Sequence, residues 1–191
     1  MTARTTASRS ASTQRRSRTR EDAQARDDII NMLKDDHKRV KKAFRDFEKL
    51  DHEDEEQVQA LVQRTITELE VHAELEEEHF YPAARNALSE EDMVDEAEVE
   101  HMTFKVLIEQ LKGMEPGDDK YAATFTVLGE YVKHHVKEEE NEMFKDLGRA
   151  RIDWANLKAE MLEARQELMV DKGLAAAEDD AQAEDGAQQA H

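Results

Sequence analysis

The sequence contains no cysteine, only two prolines and six glycines, and no extended apolar run. Without cysteine the chain cannot form disulfides, thiolate metal sites or cysteine nucleophiles. The scarcity of glycine and proline argues against an all-β fold, which needs many turns. No apolar stretch approaches the length that crosses a bilayer, and the N-terminus lacks the apolar centre of a secretory signal. We therefore expect a soluble, cytoplasmic helical protein.

Negative charge is abundant, with 46 acidic residues against 27 basic ones and a net charge of −19. Such a molecule repels nucleic acid and anionic membranes, so we expect neither as a partner of the folded domain. The first twenty residues differ, because they contain six arginines, many serines and threonines, and no acid. This composition is typical of a disordered tail, a transit peptide or a nucleic-acid-binding arm, and the sequence leaves the choice open.

Between the termini, apolar residues recur every three and four positions, which predicts four long amphipathic helices and a shorter fifth one. An acidic loop near residue 51 and the breaker Glu115-Pro-Gly-Asp118 separate the stripes. We predict an all-α, up-down-up-down antiparallel four-helix bundle with a short C-terminal helix and disordered tails. The predicted segments are a disordered Arg/Ser-rich arm (1–22), the bundle (23–148), an amphipathic helix (149–170) and a disordered acidic tail (171–191).

Each of the four long stripes is interrupted by one histidine at an inward position: His37, His72, His101 and His135. On the second and fourth stripes the next inward position is a glutamate: Glu76 and Glu139. Burying six ionisable groups without partners is prohibitive, so they must pair or bind something. Neutral imidazoles and carboxylates are metal ligands, and these six residues are our predicted metal site. The sequence predicts no separate catalytic or cofactor-binding residues.

The spacing supports this interpretation. His72 and Glu76 lie on one helix face, about 6 Å apart along the axis, and His135 and Glu139 repeat the arrangement. Aligning the two pairs also aligns the glutamates that follow them and two later aromatic residues: Glu77 with Glu140, and Tyr81 with Phe144. The sequence therefore predicts two similar helix pairs whose polar residues meet at one level of the bundle.

These motifs resemble the hemerythrin-like, HHE cation-binding family over roughly residues 27–148. The resemblance rests on Asp36-His37, His72-x-x-x-Glu76-Glu77 before Phe80-Tyr81-Pro82, Glu100-His101, and His135-x-x-x-Glu139-Glu140 before Met143-Phe144. It implies a four-helix bundle around a di-iron site, with the two glutamates as bridging ligands and the four histidines as terminal ones. Oxygen-carrying members have a second histidine one turn after the helix-three ligand, where this chain has Lys105. That departure argues against reversible oxygen carriage and favours an open coordination position.

Several assignments stay open at this point. Glu140 lies five residues after His135 and rivals Glu139 as the ligand on the fourth helix. His79 shares the inward face one turn beyond Glu76, so it is either a further ligand or hydrogen-bond partner, or a partly exposed histidine. We interpret Tyr81 as core filler. A ferritin-like carboxylate site is excluded, because the first helix offers His37 where that site needs a glutamate.

The predicted function is that of a non-haem protein with two carboxylate-bridged iron ions, which handles or senses oxygen, peroxide or nitric oxide. One alternative is a catalase- or peroxidase-like di-iron enzyme that consumes peroxide, and the sequence does not decide whether the chain is an enzyme. The other alternative is a metal-free acidic interaction module. The expected partner is a small diatomic or peroxide ligand, and self-association through the fifth helix is left open.

Overall fold

The computed structural model describes residues 5–88 and 92–174, and every regular element within them is helical. The α-helices are α1 Thr5–Phe47, α2 Glu55–Leu75, α3 Tyr81–Ala87, α4 Asp92–Lys112, α5 Tyr121–Glu138, α6 Phe144–Leu147 and α7 Trp154–Asp171. Two π-helical turns, π1 (Glu76–Phe80) and π2 (Glu139–Met143), join α2 to α3 and α5 to α6. The chain therefore forms four long rods followed by a single outer helix.

Short connections make successive rods antiparallel neighbours. Asp54 begins α2 by accepting a hydrogen bond from the Gln57 backbone N–H at 3.2 Å, and Asp153 begins α7 in the same way. Helix α1 packs against α2 and α5, while α4 packs against the same two helices from the opposite side. The predicted all-α, up-down-up-down bundle with a short C-terminal helix is thus confirmed.

The arginine-rich start is helical as far as the structure describes it, because α1 begins at Thr5. This differs from the disordered arm predicted over residues 1–22. Neither glycine nor proline occurs before Pro82, and alanine, arginine and glutamine favour helix, so nothing in this segment interrupts α1. At the other end, residues 175–191 of the predicted acidic tail lie outside the described residues.

The buried apolar side chains form two clusters with ionisable groups between them. On α1, Leu33 belongs to one cluster and Val40 to the other, and the buried His37 lies between them. On α4, His101 lies in the same way between Ala97 and Phe104. Because the apolar stripe continues on both sides of each histidine, packing forces these imidazoles into the bundle axis.

Helix α7 lies on the outside of the bundle against α1 and α2. Its residues Trp154, Leu157 and Met161 are buried there, so the apolar face predicted for this helix packs against its own chain. Self-association through α7 stays a prediction. None of the helices in the described ranges is both long and apolar enough to span a membrane.

Candidate metal centre

The four inward histidines meet at the middle of the bundle through their Nε2 atoms. His37 Nε2 lies 3.2 Å from His72 Nε2, and His101 Nε2 lies 3.1 Å from His135 Nε2. Each imidazole comes from a different rod, and none is more than 5% exposed. All four Nε2 atoms therefore share one enclosed space.

The two predicted glutamates lie between these histidine pairs. Glu76 Oε2 lies 3.2 Å from His72 Nε2 and 3.5 Å from His101 Nε2. Glu139 Oε2 lies 3.3 Å from His37 Nε2 and 3.6 Å from His135 Nε2. The structure thus brings all six predicted residues together, and each carboxylate approaches one histidine from each helix pair.

The donors fall into two groups that could each hold a metal ion. One contains His37, His72, Glu76 and Glu139, and the other contains Glu76, His101 and His135. Within each group the potential ligand atoms lie within 4.8 Å of one another. Because Glu76 belongs to both groups, the two positions share a carboxylate.

A second layer of carboxylates holds the outer nitrogen of every imidazole. The Nδ1–carboxylate distances are 3.0 Å for His37–Glu140, 3.4 Å for His72–Asp36, 2.9 Å for His101–Glu77 and 2.8 Å for His135–Glu100. A carboxylate at Nδ1 favours the tautomer that carries its proton there, which leaves Nε2 as a lone-pair donor facing the centre. The outer layer therefore prepares all four imidazoles for metal binding.

This layer separates Glu139 from its rival. Glu140 lies outside the centre, where Oε1 is 3.0 Å from His37 Nδ1 and 3.1 Å from Lys41 Nζ. Lys105, at the position of the missing histidine, makes the equivalent contact with the Glu77 carboxylate at 2.5 Å. Its ammonium group pairs with Glu77 and is not a metal ligand, so this position adds no ligand to either donor group. The two helix pairs thus repeat the same histidine, glutamate and lysine arrangement.

The other histidines lie apart from the centre. His79 is partly buried and belongs to neither donor group, so the structure does not bring it to the six residues. His134 is exposed, and its Nε2 lies 3.1 Å from Glu138 Oε1.

With this geometry in place, comparison with known proteins identifies the chain's family. Residues 28–147 match the model of the hemerythrin HHE cation-binding domain. The chain belongs to the hemerythrin HHE cation-binding family. Its bundle is similar to the crystal structure of a hemerythrin HHE cation-binding domain-containing protein from Mycobacterium kansasii, with a TM-score of 0.63 and 21% identity, over 77% of this chain and 88% of that one. That likeness is one of fold.

A curated protein also resembles this HHE domain. A DNA nickase from Nostoc sp. is 31% identical over 117 residues, which are 61% of this chain and 32% of the nickase. The chain therefore spans about a third of the length of that relative.

The electrostatics of the HHE centre favour positive charge. Burial alone would lower the pKa of His72, but the charge of Glu76 and the hydrogen bond to Asp36 outweigh it and raise that pKa well above the usual value. The pKa of His135 is raised for the same reasons by Glu139 and Glu100. Burial would raise the pKa of Glu139, yet the surrounding imidazoles lower it to about 2. The carboxylates' negative charge keeps protons on the imidazoles of the metal-free site, and a bound cation would compensate the same negative charge.

Two carboxylate oxygens show that the donor set suits a metal. Glu76 Oε1 and Glu139 Oε2 are buried and accept no well-aligned hydrogen bond within the described part of the chain, although His37 Nε2 lies 3.3 Å from Glu139 Oε2. An unpartnered buried carboxylate oxygen is costly, and a cation is the partner that compensates it best. The HHE domain therefore has the ligand types, the burial and the unsatisfied oxygens of a metal-binding site.

Tyr81 is the central residue that the sequence did not predict for the site. Its hydroxyl lies 3.3 Å from Glu76 Oε2, 3.1 Å from Glu139 Oε1 and 3.0 Å from His101 Nε2. The π1 turn adds one residue to the helical turn, so Phe80 and Tyr81 are both buried although they are adjacent. Adjacent bulky apolar residues after each His-x-x-x-Glu motif were the only available signal of this shift.

Proposed function

We propose that the centre binds two iron ions through His37, His72, Glu76, His101, His135 and Glu139. The observation that carries the proposal is that the buried Glu76 and Glu139 carboxylates lie among the four imidazole Nε2 atoms, and that each has an oxygen that accepts no hydrogen bond from the described residues. Two ions rather than one are supported by the two donor groups that share Glu76. Mixed imidazole and carboxylate ligands suit iron, and the family's cation-binding character agrees with this choice.

The proposed role is to bind or sense oxygen, peroxide or nitric oxide. Bound iron would supply coordination positions and redox capacity for such small molecules. A cavity between α4 and α5 is lined by residues of both donor groups, His135 and Glu139, and has a volume of about 60 Å³. That volume holds a few water-sized molecules, so it favours a diatomic or peroxide ligand over a larger substrate.

The chain's own residues would hold and shield this chemistry. The outer carboxylates fix the four imidazoles through Nδ1, and the two apolar clusters exclude bulk water from above and below. Burial, followed by the charges of Glu139 and Glu76, raises the pKa of Tyr81 well above the usual value. The Tyr81 hydroxyl therefore keeps its proton beside the centre.

That hydroxyl favours a second candidate, a peroxide-consuming di-iron enzyme. The neutral phenol, 3.1 Å from Glu139 Oε1, is placed to donate a hydrogen bond to a peroxide held at the centre, which would help to polarise it. The similarity to the Nostoc DNA nickase does not lead us to propose DNA cleavage as a further candidate function. A domain in a chain of net charge −19 repels DNA, and the match covers 32% of that protein.

Metal analysis after iron-supplemented expression tests the proposal. We expect about two iron ions per chain for the wild type. His72→Ala should lose most of this iron, because the variant lacks one of the proposed ligands. His79→Ala is the matched control, because His79 follows the same helix but lies outside both donor groups, and it should retain the iron. Circular dichroism verifies that both variants remain helical.

Wild-type protein with fewer than about 0.3 metal ions per chain would overturn the metal centre and leave the metal-free interaction module. Iron loss in His79→Ala as large as in His72→Ala would overturn the ligand assignment. Visible spectra with oxygen, peroxide and nitric oxide identify the ligand. Rapid peroxide consumption, reduced in Tyr81→Phe at unchanged iron content, would favour the enzyme over a binding or sensing protein.

A further inference from the structure

The two helix pairs match closely at the centre but differ at its periphery. On the α4 and α5 side, the 60 Å³ cavity described above, which we call the acidic vestibule, is lined by four carboxylates besides that of Glu139: Glu96, Glu100, Glu138 and Glu142. Its inner wall includes the buried ligands His135 and Glu139. One oxygen of Glu139 is buried and accepts no hydrogen bond from the described residues. The vestibule therefore leads from solvent to an unsatisfied group of the centre.

The equivalent positions on the α1 and α2 side are closed. By the alignment of the two halves, the counterparts of Glu96, His134 and Glu138 are Met32, Val71 and Leu75. Val71 and Leu75 are buried, Met32 packs against the same cluster, and α7 covers this face. The outer carboxylate Asp36, the counterpart of Glu100, is held there by Arg165 at 2.7 and 2.8 Å. The asymmetry is thus present in the sequence as well as in the packing.

Charge distinguishes the vestibule from the other cavities. Among the described residues, no lysine or arginine pairs with Glu96, Glu138 or Glu142. A larger groove of about 390 Å³ between α2 and α4 also contains glutamates, but lysines neutralise several of them, as in Lys105–Glu77 and Lys172–Glu74. No member of either donor group lines that groove.

The third cavity is unsuited to a cation. It has a volume of about 10 Å³, lies beside Asp36 and is lined by three arginines: Arg39, Arg64 and Arg165. Three guanidinium groups repel a divalent cation, and the space holds about one water molecule. Compared with these two cavities, the vestibule combines uncompensated negative charge with access to the proposed ligands.

We infer that divalent cations reach the centre through the acidic vestibule, and that Glu100, His134 and Glu138 form a transient cation site at its mouth. The donor atoms of these three residues lie within 4.8 Å of one another. Glu100 links the mouth to the centre, because Oε1 lies 3.5 Å from His134 Nε2 and Oε2 lies 2.8 Å from His135 Nδ1. A cleft lined by one sign of charge concentrates the opposite ion and accelerates its entry. The inference rests on the proposed metal-binding function.

Uptake of Fe²⁺ by metal-free full-length protein under anaerobic conditions tests it. Aliquots are quenched with a chromogenic chelator at successive times, so that both the rate and the final content are measured. The test variant is E96Q/E138Q/E142Q, which keeps Glu100 and all six proposed ligands. We expect uptake roughly tenfold slower at low ionic strength, with the same final iron content, and a difference that shrinks in high salt.

The matched control is E74Q/E78Q/E109Q, which removes the same charge from the α2–α4 groove. It should load within about twofold of the wild-type rate, since that groove reaches no proposed ligand. Wild-type rates in the vestibule variant, or equal slowing in the control, would overturn the entry route while leaving the metal centre intact. Failure of the wild type itself to take up Fe²⁺ would overturn the proposed function instead.

Discussion

Two ion pairs join α7 to α1, and they differ mainly in burial. The side chains of Arg165 and Asp36 are 17% and 4% exposed, whereas those of Lys158 and Asp28 are 36% and 33% exposed. We predict that Arg165→Met destabilises the metal-free protein far more than Lys158→Met. Both changes remove one positive charge from the same helix, so general charge effects cancel in the comparison.

The magnitude follows from the contacts of Asp36. Arg165 donates to both of its carboxylate oxygens, and removing one partner of a buried pair costs about 3–5 kcal/mol. Arg39 and His72 still contact the carboxylate, which retains part of that energy. We therefore expect a loss of about 2–3 kcal/mol for Arg165→Met, against about 0–1 kcal/mol for the exposed lysine.

Urea unfolding followed by circular dichroism measures both losses. Burial would raise the pKa of Asp36, but the hydrogen bonds from His72 and Arg165 hold it well below the usual range. A carboxylate with a depressed folded-state pKa contributes stability above its unfolded pKa and loses it as the pH falls. The difference between wild type and Arg165→Met should therefore be largest at neutral pH and narrow below about pH 4. Equal losses in the two variants would refute the argument from burial.

Three further predictions concern packing, the central hydroxyl and the metal. Gly129→Ala should destabilise the protein by about 1 kcal/mol although alanine favours helix more than glycine does, because the new Cβ would lie 2.7 Å from the Phe44 ring. Gly113→Ala should not destabilise it, because a Cβ there would meet no atom closer than 3.5 Å. Urea unfolding measures both effects. Tyr81→Phe should cost the metal-free protein about 1–2 kcal/mol in the same assay, since its hydroxyl contacts three buried groups, whereas Tyr121→Phe should cost about half a kcal/mol or less. Metal removal should lower the melting temperature, and the gap should widen from pH 6 to pH 9. The raised pKa values of two central imidazoles stabilise the metal-free fold only while these groups hold protons, and that stability is lost as the pH rises through their folded-state pKa. A melting-temperature difference that stays constant from pH 6 to pH 9 would contradict the prediction about the metal. An unchanged free energy of unfolding in Gly129→Ala or in Tyr81→Phe would contradict the prediction for that variant.

The six inward residues could be predicted because a four-helix bundle leaves little freedom to its core positions. His72 and Glu76 occupy successive inward positions of one stripe, and the stripe continues apolar on either side. Because all four stripes carry the same interruption, the interrupting side chains must meet inside one bundle, so both the fold and the central residues followed from periodicity.

The π-turns could not be predicted in the same way, because regular helical spacing assumes one fixed period. Under that assumption two adjacent residues cannot both face the bundle axis, whereas the structure buries Phe80 and Tyr81 side by side. The added residue in π1 changes the register only after Glu76, so the inward positions of the six proposed ligands could be predicted, whereas the Tyr81 hydroxyl beyond them was missed.

Contacts between distant segments were also outside the reach of the sequence. Nothing local to Arg165 connects it with Asp36, which lies 129 positions earlier, and the pair exists only because α7 folds back over α1. In the arginine-rich arm, by contrast, the difficulty was local. Its composition suggested disorder, but it contains no glycine or proline, and the structure places a helix there that begins at Thr5.

The sharing of carboxylates between the two helix pairs has a kinetic consequence. The first helix pair, α1 and α2 with π1, and the second, α4 and α5 with π2, each form a helical hairpin. His37 and His72 come from the first hairpin, but their donor group includes Glu139 from the second. Likewise, Glu76 of the first hairpin belongs to the group of His101 and His135 in the second. Each ion would therefore be bound by ligands from both hairpins and would cross-link them. The hairpins could not separate without breaking ligand bonds, so metal should slow the rate of unfolding, and with it the exposure of the chain to proteases.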